Sequence, residues 1–256
     1  MRKNGYILSI DQGTTSSRAI IFDINGQIQA QKNFEFKQYY PKNGWVEHDP
    51  NEILETTINV IKHVISESKI DAADICTAGI ANQRETVVAW DKSTGQPIYN
   101  AIVWQDRRTE SFCEELRKKD LIEHFQRKTG LIIDPYFSAT KIKWILENVN
   151  ETNQIINGKN LLVGTIDTWL IWNLTRGSSH LTDATNASRT MLYNIQNDEW
   201  DSELLKLLNI PLEILPEVKN STDNFGVINK EFFGSEIPIE GVAGDQQAAS
   251  FGQLCF

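Results

Sequence analysis

Asp11-Gln12-Gly13-Thr14-Thr15-Ser16-Ser17-Arg18 stands between two short apolar runs, residues 6–10 and 19–22. Runs of that length flanking a short polar segment read as two β-strands joined by a tight turn, with a carboxylate at its entrance. The turn has the composition of a phosphate site. Gly13 lets the backbone approach an anion, and the hydroxyls of Thr14, Thr15, Ser16 and Ser17 with the intervening N–H groups offer a donor-rich concavity. Arg18 adds fixed positive charge. Asp11 would repel a bare phosphate, so its place at the mouth makes sense if a cation such as Mg²⁺ lies between them. Any single Gly-Thr-Thr turn reads more simply as an ordinary polar hairpin. The acid, the four hydroxyls and the arginine together favour phosphate.

Working outward, Asn25-Gly26 is a hairpin signal that ends the second strand, and a third strand is expected over residues 28–36. Asp49-Pro50-Asn51-Glu52 supplies an N-cap, a proline at N1 and an acid at N3. Ile53, Leu54, Ile58, Ile61, Val64 and Ile65 then recur at helical spacing. Residues 75–81 read as a buried strand, with Asn82-Gln83-Arg84-Glu85 at its carboxyl end, where open α/β sheets place ligands. The order strand, strand, strand, helix, strand implies a mixed sheet flanked by helices rather than a pure βαβ unit.

Beyond it, residues 87–90 and 97–103 form extended runs about the turn Asp91-Lys92-Ser93-Thr94-Gly95. A helical pattern follows to about residue 157, broken at Asp134-Pro135-Tyr136. Residues 161–163 suggest a strand, 165–174 an apolar helix, and 175–197 an irregular polar tract. Asp201 caps a helix through residue 208. Residues 239–243 read as a strand running into Gly244-Asp245-Gln246-Gln247, which opens a helix. Leu254-Cys255-Phe256 is an apolar end, from which continuation of the chain is expected.

With 256 residues and 40% hydrophobic content, the chain can bury a substantial core. The formal charge of −9 argues against nucleic acid or an anionic membrane as partner, so an anionic substrate needs a local basic site. Cys76, Cys113 and Cys255 are odd in number and lack metal-ligand spacing, and no apolar run reaches membrane-spanning length. A cytoplasmic location is expected. The Asn-x-Ser/Thr triplets at Asn150, Asn173, Asn186 and Asn220 then read as chance matches.

Among residues able to carry chemistry, Arg84 and Glu85 together offer a polyol both a donor fork and an acceptor, or are an adjacent surface pair. Trp104 and Tyr136 are aromatic walls for a carbon skeleton, or core packing. Asp245 is a general base, or the N-cap of the last helix. His48, His63, His124 and His180 show neither ligand spacing nor a neighbouring nucleophile.

Several stretches taken together resemble the glycerol-phosphorylating branch of the FGGY carbohydrate-kinase family. They are residues 11–18, Asn82-Gln83-Arg84-Glu85-Thr86, Ala101-Ile102-Val103-Trp104-Gln105-Asp106-Arg107-Arg108, Asp134-Pro135-Tyr136-Phe137-Ser138, Thr185-Asn186-Ala187-Ser188-Arg189-Thr190 and Ala243-Gly244-Asp245-Gln246-Gln247. The resemblance covers essentially the whole chain and the N-terminal half of a typical member. It implies an α/β, ribonuclease-H-like lobe of the actin-like ATPase fold, spanning residues 1–256, with a C-terminal nucleotide lobe outside this chain. It also implies ATP-dependent phosphorylation of glycerol to sn-glycerol 3-phosphate, with ATP and Mg²⁺ required and a homo-oligomeric full-length enzyme.

By the same resemblance Thr14, Thr15, Ser16 and Arg18 meet the nucleotide phosphates and Asp11 the metal. Arg84, Glu85, Trp104, Tyr136, Asp245 and Gln246 would bind glycerol, with Asp245 as base. Rival readings are a kinase for a pentulose or another polyol, a non-catalytic glycerol-binding fragment, and an actin-like filament or chaperone ATPase. Where many Gram-positive relatives carry a phosphorylatable histidine, this sequence has Glu231-Phe232-Phe233-Gly234, and Glu231 and Glu236 set local charge against a phosphorylated inhibitor. An enzyme containing this half is therefore expected to escape both controls.

Overall fold

The computed structural model describes residues 5–150 and 152–255, without the side chain of Asn153. Phe256 of the apolar end and Glu151 of the Asn150 triplet lie outside these. Strands β1 (Tyr6–Gln12), β2 (Ser16–Asp23) and β3 (Ile28–Glu35) form an antiparallel meander. The second connection turns at Gly26, φ 77°, where Asp23 Oδ1 accepts from the Asn25 and Gln27 amides at 2.8 and 2.9 Å. Helix α1 (Pro50–Ser68) starts at Asp49, whose side chain accepts from the Asn51 amide, and stops at Lys69 in the left-handed region. Glu52 does not reach back to complete a capping box; its carboxylate accepts from the Lys37 amide at 3.0 Å and ties the helix to the segment after β3. Ile53, Thr57, Val60, Ile61 and Val64 form the buried stripe of α1, packed on β2 and β3. Strand β4 (Ile75–Asn82) then pairs parallel to β1.

Strand β5 (Val87–Asp91) belongs to a second, smaller sheet and is walled by protein on both faces. Its alternation sends Val88 and Trp90 into the core of the first sheet, and Val87 and Ala89 into a second core with Phe125, Ile142 and Leu204. Helix α2 (Ser138–Asn148) lines that second core, and β6 (Leu161–Thr165) pairs antiparallel with β5. Helix α3 (Ile166–Leu174) carries Trp169 and Trp172 into the first core, where the Trp169 indole donates to the Pro50 carbonyl at 2.8 Å. At about 1.5–3 kcal/mol for each fully buried aliphatic or aromatic side chain, these two cores dominate the stability of the lobe. The polar tract at 175–197 is more ordered than its composition suggests. It holds a strand at Leu181–Asp183, the short helix α4 (Ala184–Ala187) and a strand at Tyr193–Asn194, because Asp183 caps α4 with bonds from the Thr185 and Asn186 amides.

Near the end, β7 (Val227–Ile228) pairs antiparallel with β8 (Ile237–Gly244), which joins β4 in parallel and runs directly into α5 (Asp245–Gly252). The main sheet thus reads β7-β8-β4-β1-β2-β3: three parallel strands flanked by antiparallel ones. This is the expected mixed sheet of the ribonuclease-H-like, actin-like ATPase fold. Its parallel strands end in one row, Gln12 beside Asn82 beside Gly244, and the loops beyond that row hold the candidate site.

Candidate active site

The turn between β1 and β2 is closed by the Gly13 amide donating to the Ser16 carbonyl at 2.9 Å. All three carbonyls of residues 13–15 accept from the protein. Gly13 O takes the side-chain amides of Gln12 and Gln83 at 2.7 and 3.0 Å, Thr14 O that of Gln38 at 3.1 Å, and Thr15 O the Phe36 amide at 3.2 Å. The Thr14 and Thr15 N–H groups have no acceptor among the described residues. Engaged carbonyls and unengaged amides make the turn a receptor for an anion. The Thr14 hydroxyl accepts from the Trp104 indole at 3.0 Å, which links the turn to the aromatic wall.

Strand alternation divides the hydroxyls. Ser17, Ala19 and Ile21 face α1, and Ser17 is fully buried with its Oγ 2.9 Å from Thr56 Oγ1 and accepting from Thr57 at 3.3 Å. The expected contribution of Ser17 to the phosphate concavity is therefore wrong: its hydroxyl pins β2 to the helix. Asp11 and Arg18 lie opposite each other in register, both on the other face, 3.8 Å apart and each about half exposed. Burial raises the Asp11 carboxyl above its ordinary value; Arg18 opposes this and the charge of Asp245 adds to it.

At the end of β4 the chain makes a tight three-residue turn. The Thr86 amide donates to the Arg84 carbonyl at 2.7 Å, and the central residue, Glu85, sits at φ 61°. A non-glycine residue held there is strained. The turn keeps both charged side chains inside: Arg84 is 6% and Glu85 1% exposed, so the surface-pair reading fails. Arg84 donates to Gln246 Oε1 at 2.7 Å and Gln247 Oε1 at 3.1 Å, and its Nε lies 3.3 Å from Asp245 Oδ1 without hydrogen-bond alignment. Asp245 is not the cap of α5. Gly244 occupies that position, and Asp245, in the first turn, accepts from the Gln246 amide at 2.7 Å. Its known contacts fall on Oδ1, which leaves Oδ2 to accept a proton.

Burial also pushes the Glu85 carboxyl up, against the Arg189, Arg84 and Lys141 charges. Arg189 Nε donates to Glu85 Oε1 at 2.8 Å, and Oε2 has no partner among the described residues. The Tyr136 and Trp104 rings lie 5.4 Å apart, tilted 57° to each other, and both are half-buried. Lys141, fully buried on α2, donates to the Tyr136 and Phe137 carbonyls and fixes that wall from behind; burial depresses its amine to about 7. Acceptor, donor fork, second carboxylate and apolar wall thus surround one region beside the anion turn. Such a set can hold a small polyhydroxylated molecule with one hydroxyl presented to a carboxylate.

The sequence profile of the FGGY family of carbohydrate kinases, N-terminal domain, matches residues 6–252. The chain belongs to the FGGY family of carbohydrate kinases. This FGGY chain is 60% identical over 251 residues to the glycerol kinase of Thermoanaerobacter sp. (strain X514), covering 98% of itself and 50% of that protein. Against the glycerol kinase of Rhizobium meliloti (strain 1021) it is 58% identical over 252 residues, again 98% of itself and 51% of the relative. It superposes on the crystal structure of Plasmodium falciparum glycerol kinase with ADP at TM-score 0.94 and 42% identity, over 99% of this chain and 51% of that one. A ligand-bound xylulose kinase from Lactobacillus acidophilus gives TM-score 0.84 at 25% identity, over 97% and 50% of the two chains. The chain spans about half the length of the curated relatives it matches.

The structure of the FGGY chain brings together Arg84, Glu85, Asp245 and Gln246, and joins Thr14 to Trp104 and Tyr136. Thr15 is exposed and Ser16 and Arg18 lie on β2 beside the turn. Sequence reasoning about roles overlooked Gln83, Lys141 and Arg189. It also overlooked the network behind Gly244, where Asn82 and Asn186 exchange amide bonds at 2.9 and 3.0 Å and Thr185 Oγ1 accepts from the Gly244 amide at 2.8 Å. Gln83 and Arg189 sit inside motifs quoted above, and an amide or a charged side chain within a motif was the available signal. Among the described residues no helix is long and apolar enough to cross a membrane.

Proposed function

We propose that this chain is the polyol-binding lobe of a glycerol kinase, which transfers the γ-phosphoryl group of ATP to a terminal hydroxyl of glycerol and yields sn-glycerol 3-phosphate and ADP. The observation that carries the reading is the buried Arg84–Glu85 pair facing Asp245 next to a turn with unengaged amides; the 58–60% identity to glycerol kinases supports it. Glu85 Oε2 accepts from one glycerol hydroxyl, while Arg84 and the side-chain NH2 of Gln246 donate to others. Trp104 and Tyr136 cover the carbon skeleton. Asp245 accepts the proton of the terminal hydroxyl as its oxygen forms the new bond to phosphorus and the bond to the leaving ADP oxygen breaks. The amides of Thr14 and Thr15, the hydroxyls of Thr14, Thr15 and Ser16, and Arg18 hold the nucleotide phosphates.

No group of three or more acidic, histidine or cysteine side chains able to hold a metal occurs among the described residues. One carboxylate, Asp11, beside a phosphate site fits Mg²⁺, which takes one or two carboxylates and completes its shell with phosphate oxygens and water. Bound there, Mg²⁺ would offset phosphate charge. The same reading makes the whole protein a cytoplasmic homo-oligomer.

Because the chain spans half the length of its relatives, a second reading is that, on its own, it binds glycerol without turning it over. Glycerol, xylulose and propane-1,3-diol titrated into the chain and followed by amide NMR test the substrate class. Binding of glycerol with rejection of propane-1,3-diol is expected, since a missing hydroxyl leaves buried polar groups unpaired. Equal binding of all three would defeat the proposal.

A further inference from the structure

Arg189 has no role in the reaction as written, yet its position is fixed from several sides. It follows α4, which is capped by Asp183 and locked to β4 by the Asn82–Asn186 amide pair. Its own amide donates to the Asn186 carbonyl at 3.0 Å, and the next residue's carbonyl accepts from the Ala139 amide at 2.8 Å. Its guanidinium carbon lies 5.0 Å from the Phe137 ring and 5.9 Å from the Tyr136 ring, within cation–π reach of both. From there Nε donates to Glu85 Oε1 at 2.8 Å, 104 residues away in sequence.

We propose that Arg189 is a positioning residue of the polyol site, which occupies Oε1 of the buried Glu85, keeps that carboxylate ionised and leaves Oε2 as the acceptor offered to a substrate hydroxyl. The proposal rests on the polyol-kinase reading. A carboxylate accepts only from donors, whereas a protonated carboxyl turns one oxygen into a donor and loses the charge-assisted bond. Burial drives Glu85 toward the protonated form. The groups that oppose it are Arg189 beyond α4, Arg84 on its own turn and Lys141 on α2, with the neutral Tyr136 phenol also near. Of the three cations only Arg189 is hydrogen-bonded to the carboxylate. Removing it should therefore let Glu85 take up a proton at higher pH, and glycerol affinity should fall with it.

The test uses the 256-residue chain labelled with ¹³C at glutamate carboxyls, with Glu85 assigned through Glu85→Gln. In Arg189→Gln the Glu85 titration should move to higher pH. Glycerol affinity, from amide shifts, should fall roughly tenfold or more, and the deficit should widen as pH falls. Arg189→Lys keeps the charge and should recover part of both. An unmoved Glu85 titration, or a loss of affinity that is equal at every pH and identical in the Lys variant, would overturn the assignment. A wild-type chain that binds no glycerol would instead refute the polyol reading and the substrate half of this proposal, while the carboxyl titration would still decide what Arg189 does to Glu85.

Discussion

Gly244 ends β8 with φ −58° and ψ 146°, a conformation open to any residue, so its need for glycine is a matter of space. A Cβ added there would lie 2.4 Å from Arg84 Cδ, 2.7 Å from Arg84 Cγ and 2.9 Å from Gln247 Oε1. Ordinary carbon contacts need about 3.5–4.0 Å, so in Gly244→Ala the Arg84 stem must move by roughly 1 Å or more. Because the obstructing atoms belong to a long side chain, the fold should survive at an overpacking cost of about 1–3 kcal/mol. For a chain of this size that is a fall in melting temperature of roughly 2–12 °C. The larger effect falls on the site. The displaced guanidinium loses its bonds to Gln246 and Gln247 and its place beside Asp245. A hydrogen bond to a charged group contributes about 1.5–3 kcal/mol, so glycerol should bind roughly 10- to 150-fold more weakly. Phosphate binding at residues 13–16, which Arg84 does not touch, should change little. Calorimetric melting with NMR titration of glycerol, and separately of a nucleotide, measures the three quantities. Wild-type glycerol affinity in a folded Gly244→Ala chain would refute the assignment of Arg84 to the substrate.

Asp167 is fully buried between Thr165 and Thr182, and burial, with the charge of Asp183, raises its carboxyl to about 7. Between the unfolded value and about 7 the folded chain holds a proton that the unfolded chain has released, so stability from this group is present at the acid end and is lost as pH rises. The slope is at most about 1.4 kcal/mol per pH unit. Urea midpoints from pH 5 to 8 should fall less steeply in Asp167→Asn, and parallel curves would contradict this. The chain alone should show no glycerol-dependent ATP hydrolysis or transfer in a coupled assay while still binding glycerol; robust turnover would contradict it. Glu231 is paired with Arg176 at 3.1 Å in a surface helical turn. Incubation with phosphotransferase proteins and phosphoenolpyruvate should leave residues 224–238 unlabelled, and a phosphopeptide mapped there would sink that expectation.

The fold was legible because its signals are local. Asn25-Gly26, the Asp49-Pro50 start of α1 and the apolar runs of β1, β4 and β8 each state their own conformation, and the strand order then limits the sheet. The depth of the site was not legible in the same way. Arg84-Glu85 looks like a solvated pair until the strained turn at Glu85 and the nearness of Gly244 enclose both side chains. Ser17 was misread because a hydroxyl next to a phosphate turn was counted without its strand parity, which points it at α1. Arg189 reaches Glu85 across 104 residues, a contact of which sequence spacing carries no record, and Lys141, which bonds to the nearby Tyr136 and Phe137 carbonyls, reads as an ordinary surface lysine until the fold buries it. The polar tract 175–197 was misread for a related reason: the Asp183 and Asn194 side chains accept from backbone amides there that composition alone would leave to solvent.

The claim on which the rest depends is that Asp245 takes the proton of the attacking hydroxyl. Asp245→Asn removes the base and leaves the volume, the Gln246 amide contact and most of the polyol site in place. The decisive measurement is steady-state kinetics of this variant in an enzyme that supplies the remaining half of the relatives' length, with glycerol and ATP varied independently. The account predicts that kcat falls roughly 100- to 10,000-fold while glycerol still saturates the enzyme in weakened form and the KM for ATP stays close to wild type. A kcat within a few-fold of wild type would contradict it and reduce Asp245 to a partner of Arg84.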